Sequence, residues 1–152
     1  MIADGHSVTV LAPRDDSVAT LESLGCMFLP LEMSVKGLNP LEDLKLQCRF
    51  KRIFREEEPD VVLSYTIKNN VFGAQAARSV GVPFLPNVTG LGTAFLSSKL
   101  LQTITEQLYR RSFSTLTTVF LQNKDDRDLF LKRSLVRLDQ AQLLPGSGID
   151  LV

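Results

Sequence analysis

Short apolar, β-branched runs alternate with helical patterns along the chain, and this alternation constrains the fold more than any other feature. Alternation of this kind is typical of βαβ units, whose strands form a parallel sheet. We therefore predict an α/β fold with a doubly wound, mostly parallel sheet and helices on both faces. The predicted strands are Val8–Pro13, Met27–Leu31, Val61–Tyr65, Val82–Val88, Thr117–Leu121 and Leu143–Leu144.

Five helices are predicted between these strands from apolar spacing and from residues typical of helix ends. They run from a Ser17 cap to Leu24, from Leu41 to Glu58, from Asn69 to Val80, from about Ser97, and after Asn123. The predicted inner face of the long second helix carries Leu41, Leu44, Cys48 and Phe54. The remaining helical phenylalanines are predicted to be core residues, namely Phe50, Phe113 and Phe130.

The first residues, Asp4-Gly5-His6, are typical of a turn after a helix. A doubly wound domain usually opens with a strand, a ligand-binding loop and a helix. We therefore expect the first strand and most of the first helix of such a domain to be missing from this chain. The neighbouring strands would then present unpaired edges. Because such edges invite pairing with another chain, we expect self-association.

Composition excludes several classes of function. Seventeen basic and seventeen acidic residues balance, whereas a dedicated nucleic-acid binder carries a basic excess. Cys26 and Cys48 lack metal-ligand spacing and His6 is the single histidine, so we expect no metal site and a reducing, cytoplasmic setting. No apolar run reaches the roughly 18–20 residues of a spanning helix.

The stretch Asn87–Phe95 follows the fourth strand and holds the main candidate site. Ligands of open α/β sheets bind at the carboxyl ends of the strands, and glycines let a backbone approach a ligand closely. The alternative is a turn that reverses the chain. The predicted substrate-binding residues here are Thr89, Gly90, Leu91, Gly92 and Thr93.

Two further groups follow neighbouring strands at the same predicted edge. Lys68 could offset the charge of a diphosphate, or it could be a solvated lysine beside a helix start. Asn123 could bind substrate or cap the helix that follows it. The predicted binding residues of these groups are Ser64, Tyr65, Thr66, Lys68, Asn69 and Asn123.

A basic stripe, Lys45, Arg49 and Arg52, lies at helical spacing on the long second helix. Such stripes hold proteins to anionic membrane surfaces. Three glutamates, Glu56–Glu58, follow at once, so the alternative is an ordinary solvated helix face.

Four stretches, in order, resemble the N-terminal domain of a GT-B-fold retaining glycosyltransferase, of the family that includes sucrose and glycogen synthases. Within it, the chain looks most like bacterial enzymes of capsule, O-antigen and lipid-linked glycan synthesis. The stretches are Asp4–Val10, Ser64–Asn70, Asn87–Gly92, and Phe120–Asn123 together with Pro145–Leu151.

The resemblance implies a Rossmann-like domain over residues 1–144 that faces the acceptor, followed at 145–152 by the start of an interdomain linker. It implies transfer of a sugar from a nucleotide donor, taken here as a UDP-sugar, to a glycan or lipid-diphosphate acceptor, with no tightly bound cofactor. A histidine found in many relatives after the fourth strand is replaced by the Asn87–Gly90 stretch, so no catalytic residue is carried over. The implied hinge residues are Pro145, Gly146, Ser147, Gly148 and Asp150.

Two alternatives to the transferase remain at this point. One is a GT-B-like epimerase of sugar nucleotides, although its usual acidic and histidine residues are not matched here. The other is a non-catalytic doubly wound module that binds a ligand or partner protein. A dehydrogenase is disfavoured because no Gly-x-Gly-x-x-Gly follows an opening strand.

Overall fold

The computed structural model describes residues 1–33, 39–90 and 99–144. The chain divides into two compact units, Met1–Glu42 and Asp43–Val152. Both units are built from parallel strands with helices between them, so the predicted α/β class is confirmed.

The first unit holds one βαβ motif. Strand β1 (Thr9–Ala12) pairs in parallel with β2 (Met27–Pro30), and helix α1 (Val18–Ser23) connects them. A short 3₁₀ turn, Ile2–Asp4, precedes β1 and ends at Gly5, whose φ of 86° suits glycine. The Asp4–His6 stretch is therefore a turn, as the sequence predicted.

The second unit holds a four-stranded parallel sheet in the order β3-β4-β5-β6. Its helices alternate with the strands, and a long helix precedes them. The strands are β3 (Val62–Tyr65), β4 (Phe84–Val88), β5 (Val119–Leu121) and β6 (Ala141–Leu143). The helices are α2 (Pro40–Glu57), which begins in the first unit, α3 (Ala74–Val80), α4 (Lys99–Phe113) and α5 (Lys124–Lys132).

An aromatic cluster forms the centre of this second unit. Tyr109 and Phe113 of α4 and Phe130 of α5 have no exposed surface. The Tyr109 ring lies 5.1 Å from that of Phe113 and 5.2 Å from that of Phe130, in tilted and edge-on arrangements that aromatic pairs favour. With Phe50 and Phe54 also buried, the predicted aromatic core is confirmed.

The predicted inner face of α2 is wrong apart from Phe54. Leu41 and Leu44 are 72% and 58% exposed, and Cys48 is also exposed. The buried stripe follows a different helical register, one that places a carboxylate among apolar side chains. Its residues are Asp43, Leu46, Phe50 and Phe54.

Two helix starts differ in how they are capped. The Asn123 carboxamide accepts a hydrogen bond from the Asp126 N–H at 2.7 Å, which confirms the predicted cap of α5. Ser17 makes no capping bond with its side chain, contrary to the prediction for α1. There the Asp15 carboxylate, two residues earlier, accepts from the Ser17 N–H at 2.9 Å instead.

Candidate functional site

The carboxyl ends of the four strands of the second unit meet at one edge, as the register of the parallel pairs requires. Tyr65 of β3 is level with Asn87 of β4, and Val88 is level with Leu121 of β5. Leu121 is in turn level with Leu143 of β6. The segments that follow these strands, including Thr66, Thr89 and Gln122, therefore share this carboxyl edge.

The main candidate loop is described only at its beginning. Thr89 is exposed, and Gly90 has a φ of 157° with no described atom within 4 Å of where a Cβ would stand. The predicted residues Leu91, Gly92 and Thr93 lie outside the described residues, as do Pro145, Gly146, Ser147, Gly148 and Asp150.

The turn after β3 has a strained backbone. Thr66 adopts a φ of 68°, which is unfavourable for a β-branched residue. Its carbonyl accepts from the Asn70 N–H at 2.9 Å, which fixes the turn into the following helix. That helix opens with a π-helical turn, Asn69–Gly73. Strained backbone and π turns both occur often at functional sites.

Gly73, inside the π turn, allows the helix to approach β4. A Cβ at Gly73 would lie 2.9 Å from the ring of Phe84, closer than such atoms approach in proteins. Glycine therefore permits this close contact, which lies at the start of β4.

Lys68 does not extend into solvent as a free cation. Its ammonium lies 2.9 Å from the Asp43 carboxylate of α2, and the two side chains are 12% and 8% exposed. The alternative of a solvated lysine is therefore wrong. Because Asp43 neutralises Lys68, the ammonium is a poor candidate for the diphosphate role that the sequence suggested.

The other predicted residues of this turn differ in accessibility. Ser64 is buried at 6%, because alternate residues of β3 face the interior, whereas Tyr65 is 51% exposed and Thr66 is exposed. Asn69 is half-buried. The exposed residues Tyr65, Thr66 and Thr89, each of which carries a hydroxyl, therefore lie at the edge, while Ser64 belongs to the sheet interior.

Asn123 lies at the same edge but is engaged as the cap of α5. Its amide nitrogen also donates to the Asp126 carboxylate at 2.8 Å, so both ends of the carboxamide are used. These bonds account for Asn123 without a ligand, which favours the capping alternative.

Three polar residues of this edge were not among the predicted binding residues, although Asn87 begins the main candidate stretch and Asn70 ends the stretch Ser64–Asn70: Asp43, Asn70 and Asn87. Asp43 carries a signal, since it lies three, seven and eleven residues before the buried Leu46, Phe50 and Phe54. A carboxylate on the apolar stripe of a helix needs a partner. Asn70 and Asn87 are 1% and 7% exposed, and nothing local to them predicts that depth.

Within residues 1–33, 39–90 and 99–144, no group of three or more His, Cys, Asp or Glu side chains could hold a metal ion. In the same ranges, no helix combines the length and apolar character needed to cross a bilayer.

Solved structures place the fold in the Rossmann-like class of GT-B proteins. The chain superposes on MurG of Acinetobacter baumannii with a TM-score of 0.61 and 14% identity, covering 99% of this chain and 39% of that one. The glycotransferase of kitacinnamycin superposes with a TM-score of 0.55 and 13% identity, covering 99% of this chain and 46% of that one. UDP-GlcNAc 2-epimerase of Methanocaldococcus jannaschii superposes with a TM-score of 0.56 and 11% identity, covering 91% of this chain and 45% of that one.

The family follows from the sequence itself. Residues 1–123 match the model of the Glycosyl transferase 4-like family, and the chain belongs to that family. A curated relative from Campylobacter jejuni is 25% identical over 149 residues, which is 95% of this chain and 39% of the relative. That protein is named N,N'-diacetylbacillosaminyl-diphospho-undecaprenol alpha-1,3-N-acetylgalactosaminyltransferase. The chain thus spans about two-fifths of the curated relative's length.

Proposed function

We propose that this chain is the acceptor-side half of a retaining glycosyltransferase. The complete enzyme would move a sugar from a nucleotide-sugar donor, a UDP-sugar in our proposal, to a growing surface-polysaccharide or lipid-linked acceptor. The family match over residues 1–123 carries this proposal. The Campylobacter jejuni relative supports the acceptor class, because its name specifies a sugar on diphospho-undecaprenol.

In this proposal, residues 1–144 form the N-terminal domain and 145–152 begin the linker to a donor-binding domain. The share of each relative that the chain covers, between 39% and 46%, suits one half of a two-domain enzyme. The nucleotide would be held mainly by the other half. The proposal also assigns a hinge between the two halves to Pro145, Gly146, Ser147, Gly148 and Asp150.

The carboxyl edge of β3–β5 would form one wall of the cleft. The exposed Thr66 and Thr89 hydroxyls would bond to sugar hydroxyls, and Gly90 would let the sugar approach the backbone. Holding two reactants in the correct orientation contributes a large part of the rate of a transfer between them. We assign these residues to positioning, and no residue to the chemical step.

The epimerase alternative is supported by fold alone. The structural likeness to UDP-GlcNAc 2-epimerase comes with 11% sequence identity. Proteins that share only a fold can have unrelated activities. The family match favours the transferase.

We also infer contact with the inner face of the cytoplasmic membrane through the exposed face of α2. Two leucines and two cations lie there at helical spacing, and each cation near an anionic bilayer contributes about 1 kcal/mol of binding. This face comprises Leu41, Leu44, Lys45, Cys48 and Arg52. A lipid-linked acceptor would require such contact.

The test uses the protein from the complete reading frame with radiolabelled UDP-GlcNAc or UDP-GalNAc and an undecaprenyl-diphosphate-linked sugar. We expect labelled lipid product. NMR of this product should show that the anomeric configuration of the donor is retained. The 152-residue chain alone should give none. An inverted anomer would refute retention, and conversion of the UDP-sugar to its C2 epimer without acceptor would favour the epimerase.

A further inference from the structure

Asn70 connects the two segments that carry the exposed threonines of the carboxyl edge. Its backbone N–H donates to the Thr66 carbonyl at 2.9 Å, and its side-chain amide donates to the Asn87 carbonyl at 3.0 Å. The first bond closes the turn after β3, and the second holds the end of β4, two residues before Thr89. A single side chain that is 1% exposed therefore links both segments.

The link lies where the sheet itself stops holding these segments together. The pairing of β3 with β4 ends at Tyr65 and Asn87, and the chain turns at Thr66. The Asn70 amide reaches the Asn87 carbonyl across 17 residues of sequence, and the bond is buried. Removing the donor would leave a buried acceptor short of a partner, which costs free energy and loosens the end of β4.

The turn after β3 also needs support from its neighbours. Thr66 has a φ of 68°, and such backbone persists where surrounding contacts enforce it. One support is Lys68, whose ammonium lies 2.9 Å from the Asp43 carboxylate of α2. Asn70 supplies another, and it relates the turn directly to the end of β4.

We propose that Asn70 is a positioning residue for the acceptor. Its two hydrogen bonds hold Thr66 and Thr89 at the separation at which both bind hydroxyl groups of the acceptor sugar, while its own enclosed side chain does not touch the substrate. The inference rests on the proposed glycosyltransferase function and deepens it, because it names the residue that sets the shape of the acceptor wall.

The test uses the protein from the complete reading frame and measures KM separately for the lipid-linked acceptor and for the UDP-sugar. Asn70→Leu has a similar shape and removes the amide donor. It should raise the acceptor KM about fivefold, the change expected for one lost hydrogen bond. The KM of the UDP-sugar should stay unchanged, because the proposed donor site lies mainly in the other half of the enzyme.

Gln140→Met is the matched control. Gln140 is also 1% exposed, and its side-chain amide donates to the Phe113 carbonyl at the same distance of 3.0 Å. This bond lies at the opposite edge of the sheet, because Gln140 immediately precedes β6 and Phe113 ends α4. Both variants should lower the Tm, but Gln140→Met should leave both KM values unchanged. An equal acceptor KM in the two variants would overturn the positioning role.

Asn70→Asp gives a second readout, and it replaces Asn70→Leu if that variant does not fold. An aspartic acid side chain can donate to the Asn87 carbonyl only while it is protonated. The ratio of its acceptor KM to that of the wild type should therefore rise with pH across the active range. A ratio of one at every pH would overturn the positioning role.

Backbone hydrogen exchange of the same proteins lets the two proposals fail separately. Exchange in the segments that contain Thr66 and Thr89 should be faster in Asn70→Leu than in Gln140→Met. If this difference appears but the wild type transfers no sugar, the glycosyltransferase proposal fails and the link between the two segments stands. Sugar transfer with an unchanged acceptor KM in Asn70→Leu would overturn the positioning role alone.

Discussion

At the scale of single residues, the ion pair between Lys68 and Asp43 ties the turn after β3 to helix α2. Its two side chains are about nine-tenths buried, so each charge depends on the other for compensation. Removing one partner leaves the other charge buried without compensation, whereas removing both partners leaves no buried charge. The pair therefore matters more for keeping the turn in place than for net stability.

We expect Asp43→Asn to lower the free energy of unfolding by roughly 3 kcal/mol in urea titrations, because it strands the Lys68 ammonium. The double variant Asp43→Leu/Lys68→Met should recover most of this loss. Glu56→Gln is the control, since its partner Arg52 lies 3.9 Å away and both side chains are more than 60% exposed. An equal loss in the double variant would contradict the explanation.

Tyr109 gives a second residue-scale prediction, for alkaline pH. Burial, and to a lesser extent the Asp126 carboxylate, raises the pKa of its phenol above the ordinary 10.0. The unfolded chain then loses the proton at lower pH than the folded one, so stability is complete below about pH 10 and declines above it. Unfolding titrations from pH 9 to 11 should show this decline, and Tyr109→Phe should reduce its slope.

At the scale of elements, the period of apolar residues predicted the fold class and the positions of the strands within the part of the chain that the structure describes. It failed for α2 because Leu41, Leu44 and Cys48 share a helical spacing just as Leu46, Phe50 and Phe54 do. Which stripe is buried depends on what packs against it, and on the partner that Asp43 finds 25 residues later in Lys68.

The same reasoning explains why the site was predicted in part. The carboxyl edge follows from parallel pairing, so its position was predictable from strand order. Asn70 and Asn87 meet across 17 residues of sequence, through the bond from the Asn70 amide to the Asn87 carbonyl. No local pattern contains that information.

The cap of α5 supplies the prediction for elements. Asn123→Ala removes the bond to the Asp126 N–H and should cost about 1 kcal/mol of unfolding free energy. Ser17→Ala at the start of α1 is the matched control, because Ser17 makes no capping bond with its side chain. Urea unfolding followed by circular dichroism measures both, and equal losses would contradict the assignment.

At the scale of the whole molecule, β3 has a strand partner on one side only among the described residues. Within the part of the chain that the structure describes, it pairs with β4 alone, and Val61, Leu63 and Tyr65 are 41%, 46% and 51% exposed. A strand with one unpaired side and an apolar surface invites pairing with another chain. We propose this side of β3 as the surface for the self-association expected from the sequence.

We predict that sedimentation of the 152-residue chain depends on concentration and that Leu63→Lys reduces this dependence, since a charge on an edge strand opposes pairing. Leu138→Lys is the control, because Leu138 is 71% exposed and lies outside the strands. A monomer at all concentrations, or an equal effect of both variants, would contradict this surface.

The two tyrosines have a practical consequence for all of these measurements. The chain has no tryptophan, so its near-ultraviolet emission comes from Tyr65, on the carboxyl edge, and Tyr109, in the aromatic core. In Tyr65→Phe, the emission would come from Tyr109 and report on the interior. In Tyr109→Phe, it would come from Tyr65 and report on the edge. Ligand occupancy and loss of packing could then be recorded as separate signals without attaching a dye.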